Sequence, residues 1–262
     1  MRDHIPAPLA VLRDDDRGEW VVALEYVADA QVANAWQRAW IPREIDATLR
    51  GLSALHAVWR DRWEALVSQS WLAPQRSSTQ MAKMLPLWSA LAANARSFFA
   101  DWAGPALVKV HESLLCGIER WWRPLGQNLQ TLIHNDFNPR NIMLRGLPGV
   151  ALRLCAYDWE LATIGAPQRD LAEFLCFALA PETAADDAPT WLQRYRGLLE
   201  EQTGTTIDPI AWETGFRAAL CDFLVDRISM YAMIHRFRPQ AFLPRVVRTW
   251  LTLHNRFPWP IS

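Results

Sequence analysis

The sequence HNDFNPRNIML, residues 134–144, decides how this chain folds and where its chemistry lies. Asp136 and Asn141 stand five residues apart in its polar part, and Pro139 stiffens the loop because the proline ring fixes φ. The apolar residues 142–144 predict a short β-strand. A lone Asp or Asn in a loop is usually a turn residue, so these side chains are informative only together with the sequence that follows.

The next informative residue is Asp158, which lies seventeen residues after Asn141 in the segment AYDWE. Two strand-like runs, at 142–145 and 151–157, flank the turn sequence GLPG between them. The sequence therefore predicts a hairpin that returns Asp158 to the neighbourhood of Asn141.

Phosphoryl transfer requires this set of groups. A carboxylate receives or orients the proton of the attacking hydroxyl, and oxygen ligands hold the Mg²⁺ that bridges the phosphates. Mg²⁺ accepts carboxylate, amide carbonyl and water oxygens. The loop, the hairpin and the closing aspartate together predict a kinase site, with Asp136 as the base and Asn141 and Asp158 as metal ligands.

Two segments, HNDFNPRNIML and AYDWELATIGAPQRDLAEF (residues 156–174), resemble the aminoglycoside phosphotransferase and choline kinase family. Members of that family share the protein-kinase-like fold. The resemblance extends over about residues 19–256, and its specific motifs lie within 134–170. It implies a kinase that phosphorylates a hydroxyl of a small molecule, with ATP and Mg²⁺ as cofactors.

The resemblance also implies a role for individual residues. Asp136 would be the catalytic base, and Asn141 and Asp158 would bind magnesium. His134, grouped with Asp136 in the catalytic site, is expected to be a scaffold residue whose ring hydrogen-bonds the backbone near the metal-binding loop. Asp170 matches a family aspartate that braces the catalytic loop, although a helix N-cap is an equally good interpretation.

Near the N-terminus, the segment LEYV at residues 24–27 matches the interlobe hinge of the family. The resemblance implies that backbone groups of Glu25, Tyr26 and Val27 bind the adenine edge. The residues alone equally suggest the end of an edge strand. His56, in a later helix-like segment, is expected to be structural.

The remaining pattern is mostly helical. Two β-rich runs, 8–13 and 19–27, predict a hairpin around a charged turn, and apolar residues at helical spacing follow Pro42. Further helices are expected at 84–101, 105–122, 168–180, 188–202, 209–236 and 239–256. The expected fold class is α+β and helix-dominant, a protein-kinase-like C-lobe with a remnant of a β N-lobe.

The expected domain organisation follows from the position of the hinge. Residues 1–27 would form the remnant of the β N-lobe and the hinge. Residues 28–262 would form the helical C-lobe with the catalytic loop and the metal-binding hairpin.

The composition argues against several other classes of protein. The net charge is −1 and no stretch is strongly basic, so nucleic acid is not an expected partner. No apolar run approaches the roughly 18 residues of a membrane span, so no membrane partner is expected. The four cysteines form no CxxC pair and fit a reducing, cytoplasmic location.

The sequence departs from the family in its N-lobe. That lobe normally carries a Gly-rich loop over the phosphates and a strand lysine that contacts them. Here Gly18 stands alone, and the only two lysines are Lys83 and Lys109. Three explanations stay open: a truncated part of a longer kinase, a half-kinase whose N-lobe comes from upstream or from another chain, or a catalytically impaired, pseudokinase-like binding module.

The sequence does not identify the acceptor, the choice between ATP and GTP, or the oligomeric state. The late helices combine charged and aromatic side chains, which predicts a mixed, aromatic-lined pocket for a small hydroxylated substrate. The residues expected there are the acidic Glu200, Glu201, Asp222 and Asp226, the basic Arg194, Arg196, Arg227, Arg236 and Arg238, and the aromatic Trp191, Trp212 and Tyr231. Metal-dependent hydrolysis is disfavoured, because no second histidine or cysteine cluster accompanies His134.

Overall fold

The computed structural model describes residues 2–33, 35–69, 71–72, 75–146 and 150–260. The strands in these ranges are β1 (Pro8–Asp14), β2 (Glu19–Leu24), β3 (Ala30–Ala33), β4 (Thr131–Ile133), β5 (Ile142–Arg145), β6 (Arg153–Ala156) and β7 (Thr163–Gly165). The helices are α1 (Pro42–Trp59), α2 (Glu64–Val67), α3 (Ser78–Lys83), α4 (Leu85–Ala103), α5 (Pro105–Cys116), α6 (Ile118–Gln127), α7 (Gln168–Ala178), α8 (Ala184–Thr203), α9 (Pro209–Asp222), α10 (Ser229–Phe237) and α11 (Leu243–Arg256). The predicted helix-dominant α+β class is confirmed.

The first two strands form a two-stranded antiparallel sheet. The turn between them contains Gly18, whose φ of 66° suits a residue without a Cβ. Both faces of this hairpin expose apolar side chains. These are Leu9, Val11, Leu12, Trp20, Val21, Val22 and Leu24. The strand predicted at 19–27 ends earlier, at Leu24, after which residues 25–27 leave the ladder.

A three-stranded sheet contains the predicted metal-binding hairpin. β5 and β6 pair antiparallel with Ile142 opposite Ala156, and β3 pairs with the other edge of β5. The predicted strand 142–145 is observed, the second strand starts later than predicted, at Arg153, and residues 147–149 of the GLPG turn lie outside the described residues. β3 was not predicted, because its four residues carry no alternating pattern.

Helix α1 packs directly on this hairpin. Its apolar face has the predicted spacing, and Ile45, Leu49 and Leu52 are buried. Gly51 permits the close approach, since a Cβ at that position would lie 2.4 Å from the Cβ of Leu154. Helix α1 and the β5–β6 hairpin therefore pack closely, and the loop at residues 134–141 leads directly into β5 of this hairpin.

A second short antiparallel pair, β4 and β7, flanks the predicted catalytic loop, residues 134–141. β4 ends at Ile133, immediately before the loop, and β7 begins at Thr163, shortly after Asp158. Neither strand was predicted, because three residues are too few for a periodic signal. Their pairing aligns the start of the loop with the chain that follows Asp158.

Helix α7 is buried from Leu171 to Ala178 and packs mainly against α9 and α11. The helix predicted at 105–122 is divided at Gly117 into α5 and α6. The helix predicted at 209–236 is continuous but contains a π-helical segment, Phe223–Ile228, between α9 and α10. Among the described ranges, no helix is both long and apolar enough to cross a membrane.

Candidate active site

The catalytic loop connects β4 to β5, and Asp136 lies near its centre. The Asp136 carboxylate accepts hydrogen bonds from Tyr231 Oη at 2.8 Å, Asn138 Nδ2 at 2.9 Å and Asn141 Nδ2 at 2.6 Å. Its side chain is nevertheless 18% exposed. The carboxylate is therefore fixed in orientation and still accessible to a small molecule.

The surroundings of Asp136 also set its charge. Burial alone would raise the pKa of this carboxyl, but the Tyr231 hydrogen bond, the positive charges of Arg140 and Arg227, and the Asn141 hydrogen bond lower it. The net direction is a pKa below the ordinary aspartate value. Asp136 is therefore ionised at neutral pH, the state that proton acceptance requires.

Asp170, in the first turn of α7, braces the loop. Its buried carboxylate accepts the backbone N–H of His134 at 2.7 Å and of Asn135 at 2.8 Å, and the Nε2–H of His56 at 3.0 Å. Tyr195 Oη donates to His56 Nδ1 at 2.5 Å, which fixes the imidazole tautomer. The contacts expected of a bracing Asp170 and a structural His56 are thus present.

We expect Asp170→Asn to lower the free energy of unfolding by about 3 kcal/mol. The NH₂ of the new amide would face a buried backbone N–H that donates to the carboxylate in the wild-type protein, so two donors would oppose each other. Burial alone would raise the pKa of Asp170, but the hydrogen bond from His56, the electrostatic interactions with His56 and His134, and the backbone N–H of His134 hold it below its ordinary value. The stabilisation is accordingly present at neutral pH and is lost as the pH falls through the lowered folded-state pKa.

Urea unfolding of Asp170→Asn at neutral and acidic pH, followed by tryptophan fluorescence, measures both effects. Asp187→Asn is the matched control, because Asp187 also lies in the first turn of a helix but is exposed. An equal loss of stability in the two variants would contradict the bracing role.

Asn135 adopts a left-handed conformation with φ of 63°, which is uncommon for a residue other than glycine but tolerated by asparagine. Its Nδ2 donates to Leu161 O at 3.0 Å, and its carbonyl accepts from Arg227 Nη2 at 2.5 Å. Strained residues of this kind cluster at functional sites. Here the strained residue immediately precedes the proposed base.

The His134 ring supports the backbone beside the proposed metal site. Its Nε2 donates to Tyr157 O at 2.8 Å, and the ring packs against Trp159 with centroids 4.6 Å apart. The side chain is fully buried. These contacts are those of a scaffold residue, and the grouping of His134 with the catalytic residues stays a prediction.

The two proposed metal ligands lie at one end of the β5–β6 hairpin. Tyr157 N–H donates to Asn141 O at 3.0 Å, so Asp158 directly follows a backbone pair with Asn141. Asp158 has φ of 62° and precedes a short 3₁₀ turn. Asn141 Nδ2 donates to Asp136, so the amide Oδ1 is the side-chain atom proposed to bind the metal.

An amide oxygen and a carboxylate match the ligand preference of Mg²⁺, which usually completes its shell with water and substrate phosphates. In the part of the chain that the structure describes, no three His, Cys, Asp or Glu side chains group into a metal site. The donor set therefore fits an ion that is shared with phosphates better than a closed protein site.

Residues 25–29, which include the predicted hinge, are joined to the end of β5 by ion pairs. Arg145 donates to Glu25 Oε1 at 2.5 Å and lies 3.0 Å from the Asp29 carboxylate. Tyr26 is 90% exposed. The hinge segment thus lies beside the sheet that carries Asn141, and nucleotide contact by Glu25, Tyr26 and Val27 stays a prediction.

A cavity of about 360 Å³ opens beside the catalytic loop, and Asn135 forms part of its wall. Its apolar surface comes from the indoles of Trp71 and Trp122 together with Leu161 and Met230. The cavity therefore places the exposed indole of Trp71 beside the loop that carries Asp136.

The charged side chains of the cavity are of both signs. Three guanidinium groups line it, from Arg76, Arg169 and Arg227, and two carboxylates, from Glu160 and Asp226. Arg76 lies 3.9 Å from Asp226, a loose pair. The lining is therefore not acidic.

The predicted acceptor pocket stays a prediction, and the cavity beside the loop contains only some of the residues expected in it. Asp226 and Arg227 line the cavity because the π-helical segment carries them, but Trp212 is buried, with its Nε1 donating to Leu192 O. Trp191 packs against the main core, and Tyr231 contacts Asp136. A π-turn changes which face of a continuous helix points inward, and hydrophobic periodicity gives no signal for it.

Sequence reasoning missed three further side chains of the site. Asn138 Oδ1 accepts from Arg140 Nε at 3.0 Å. Both residues lie inside the motif, and their polar side chains were the sequence feature that indicated a role in the site. Glu173 lies 2.9 Å from Asn138 Nδ2. Its position in an apolar helix gave no signal of contact with the loop.

The geometry can be compared with known proteins. A family model described as the ecdysteroid kinase-like family matches residues 6–206. The chain belongs to the ecdysteroid kinase-like family. The earlier resemblance to phosphotransferases of protein-kinase-like fold is confirmed.

Similar proteins place this ecdysteroid kinase-like chain among known folds. Human acyl-CoA dehydrogenase family member 11 is 37% identical over 79 residues, which are 30% of this chain and only 9% of the human protein. A GDP complex of an aminoglycoside 2'-phosphotransferase-IIIa variant superposes with a TM-score of 0.61 at 15% identity, over 98% of this chain and 77% of the other. Choline kinase LicA from Streptococcus pneumoniae superposes with a TM-score of 0.52 at 14% identity, over 94% of this chain and 74% of LicA. These structures share the fold.

Proposed function

We propose that this ecdysteroid kinase-like protein transfers the γ-phosphoryl group of ATP to a hydroxyl of a small molecule. The observation that carries the proposal is the accessible Asp136 carboxylate, which Asn141 holds at 2.6 Å while the β5–β6 hairpin brings Asp158 alongside Asn141. Base and metal ligands of a phosphotransferase are needed within one small site, as here.

In the proposed reaction, Asp136 accepts the proton of the acceptor hydroxyl. The hydroxyl oxygen bonds to the γ-phosphorus, the bond from that phosphorus to the β,γ-bridging oxygen breaks, and the nucleoside diphosphate leaves with the electron pair. Asn141 and Asp158 would hold Mg²⁺, which neutralises charge on the phosphates. Asp170 and His134 keep the loop and the hairpin in register.

The charge of the cavity bears on the acceptor. The lining sets three guanidinium groups against two carboxylates, and Arg169 is paired with Asp222, so it lacks the acidic surface that attracts a polycation. The exposed indole of Trp71 suits an apolar ring. We therefore propose a neutral or anionic acceptor that carries a ring and a hydroxyl.

A second candidate is a binding module without catalytic activity. The sequence has no lysine before Lys83, and Gly18 is not part of a Gly-rich loop, so the usual contacts to the α- and β-phosphates are not evident in this chain. An N-lobe supplied from upstream or by another chain stays a prediction.

We expect ³¹P NMR to detect a phosphomonoester when the protein is incubated with Mg-ATP and benzyl alcohol or 4-(hydroxymethyl)benzoate, and less product with kanamycin or choline. The physical reason is the arginine-rich, non-acidic cavity. The Asp136→Asn variant serves as the control for phosphate release or transfer that does not depend on the proposed base. Phosphorylation of kanamycin alone would contradict the proposed acceptor class. Calorimetric binding of Mg-ATP without turnover of any acceptor would favour the binding module.

A further inference from the structure

Glu173 is a buried carboxyl to which the proposed reaction gives no role. It lies on α7, is 3% exposed and forms no salt bridge among the described ion pairs. Its Oε1 is 2.9 Å from Asn138 Nδ2 and 3.2 Å from Tyr231 Oη. A buried carboxyl without a salt-bridge partner is costly when it is ionised, so burial favours its protonated form.

Glu173 shares both of its hydrogen-bonding partners with Asp136. Asn138 Nδ2 is 2.9 Å from Asp136 Oδ1, and Tyr231 Oη is 2.8 Å from the same oxygen. The amide of Asn138 has two hydrogens, one for each carboxyl group. The Tyr231 hydroxyl has only one, so it cannot donate to both.

The direction of the hydrogen bonds around Tyr231 follows from this count. Arg140 Nη2 donates to Tyr231 Oη at 2.8 Å and occupies one lone pair of that oxygen. The shorter contact, to Asp136 Oδ1, takes the single Tyr231 hydrogen. The contact between Glu173 and the remaining lone pair is then a hydrogen bond only if Glu173 carries a proton and donates it.

The charges near Glu173 favour the protonated form. Burial raises the pKa of this carboxyl to about 8, and the negative charge of Asp136 contributes in the same direction, against the lowering effects of Arg227, Asn138 and Arg140. Charged or titratable groups face Glu173 from the loop, from its own helix, from α9 with its π-helical extension and from α10. They are Asp136, Arg140, Arg169, Asp170, Cys176, Asp222, Arg227 and Tyr231.

We propose that Glu173 is a positioning residue that keeps one proton beside the catalytic carboxylate. Its neutral carboxyl donates to Tyr231 Oη, and Tyr231 in turn donates to Asp136 Oδ1, so that Asp136 stays ionised and fixed for the incoming hydroxyl. The proposal rests on the proposed role of Asp136 as base.

This arrangement is sensitive to alkaline pH. When Glu173 loses its proton, two carboxylates compete for the single Tyr231 hydrogen, and a second negative charge stands beside Asp136. The turnover rate should therefore fall as the pH rises through about 8, the pKa of Glu173. Asp136 does not produce this decline, because its own pKa is lowered.

Infrared difference spectroscopy tests the proton on Glu173 without any enzymatic assay. At neutral pH the wild-type protein should show the C=O band of a neutral carboxylic acid that is missing from Glu173→Gln, and this band should disappear as the pH passes about 8. The difference between the two proteins isolates Glu173 from Asp222, another buried acid whose pKa is raised. Identical spectra at neutral pH would overturn the proposal even if the protein is an active kinase.

Kinetics then test whether the proton matters for turnover. Glu173→Gln keeps an N–H donor for Tyr231 but cannot ionise, so the decline above about pH 8 should vanish. Glu173→Leu removes the donor and should lower kcat by about tenfold, with KM for the acceptor nearly unchanged. The matched control is Glu213→Gln on the partly exposed side of α9, which should keep the wild-type profile. An alkaline decline that persists in Glu173→Gln would overturn the proposal. If no variant turns over substrate, the proposed function fails, and the infrared result still decides the state of Glu173.

Discussion

Asp136→Asn is expected to lower the rate of phosphoryl transfer by about 10²–10⁴-fold, the usual contribution of a positioned base. The amide cannot accept the proton of the acceptor hydroxyl, although it occupies the same volume. The fold should remain intact, because the side chain is partly exposed and Tyr231 and Asn138 can still donate to the amide oxygen. The new NH₂ would face the Asn141 amide, so a small loss of stability is expected.

The measurement is single-turnover transfer from γ-labelled ATP, combined with urea unfolding to confirm the fold. Asp61→Asn is a suitable control, because this carboxylate is 78% exposed and lies outside the proposed site. A rate for Asp136→Asn within a few-fold of wild type would remove Asp136 from the role of base. The same variant also tests the coupling to Glu173, whose pKa should fall once the neighbouring negative charge is gone.

Asp158→Asn is expected to reduce turnover by about 10²-fold or more, since a bound divalent ion supplies several kcal/mol of transition-state stabilisation in phosphoryl transfer. It should also raise the Mg²⁺ concentration needed for half-maximal activity, because an amide is a weaker ligand than a carboxylate. Asp158 follows the backbone pair between Tyr157 and Asn141 and its side chain is exposed, so the loss should be chemical.

Titration of the rate with Mg²⁺ and, separately, Mn²⁺ binding followed by electron paramagnetic resonance of the nucleotide complex would check this expectation. Asp61→Asn again provides the comparison. An unchanged Mg²⁺ requirement in Asp158→Asn would show that the metal, if one is used, is held elsewhere.

The local features of the site were predictable because they depend on residues near one another in sequence. The spacing of Asp136, Pro139 and Asn141 within one loop, followed by an apolar run, predicts a rigid loop that enters a strand. The hairpin that brings Asp158 back to Asn141 spans few residues and has strong strand and turn signals. The roles of base and metal ligands nevertheless stay predictions, because geometry alone does not measure chemistry.

The contacts that tune the site were not predictable. Glu173 and Tyr231 approach Asp136 from two helices, and no periodicity in those helices indicates which face meets the loop. The cavity draws its indoles from Trp71 and Trp122 instead of Trp191 and Trp212. Such placement depends on how whole helices pack against one another, and many faces of comparable hydrophobicity were available.

By itself, the sequence determined the helix-dominant α+β class, the kinase-like family, the loop that carries Asp136 and Asn141, and the hairpin that follows it, because short-range spacing and turn chemistry encode these features. Only the tertiary structure decided that β3 joins β5 across more than a hundred residues, that a π-turn carries Arg227 to the loop, and that Glu173 lies beside Asp136. The physical reason is that these contacts join segments distant in the chain, and their free energy comes from the packing of the whole core.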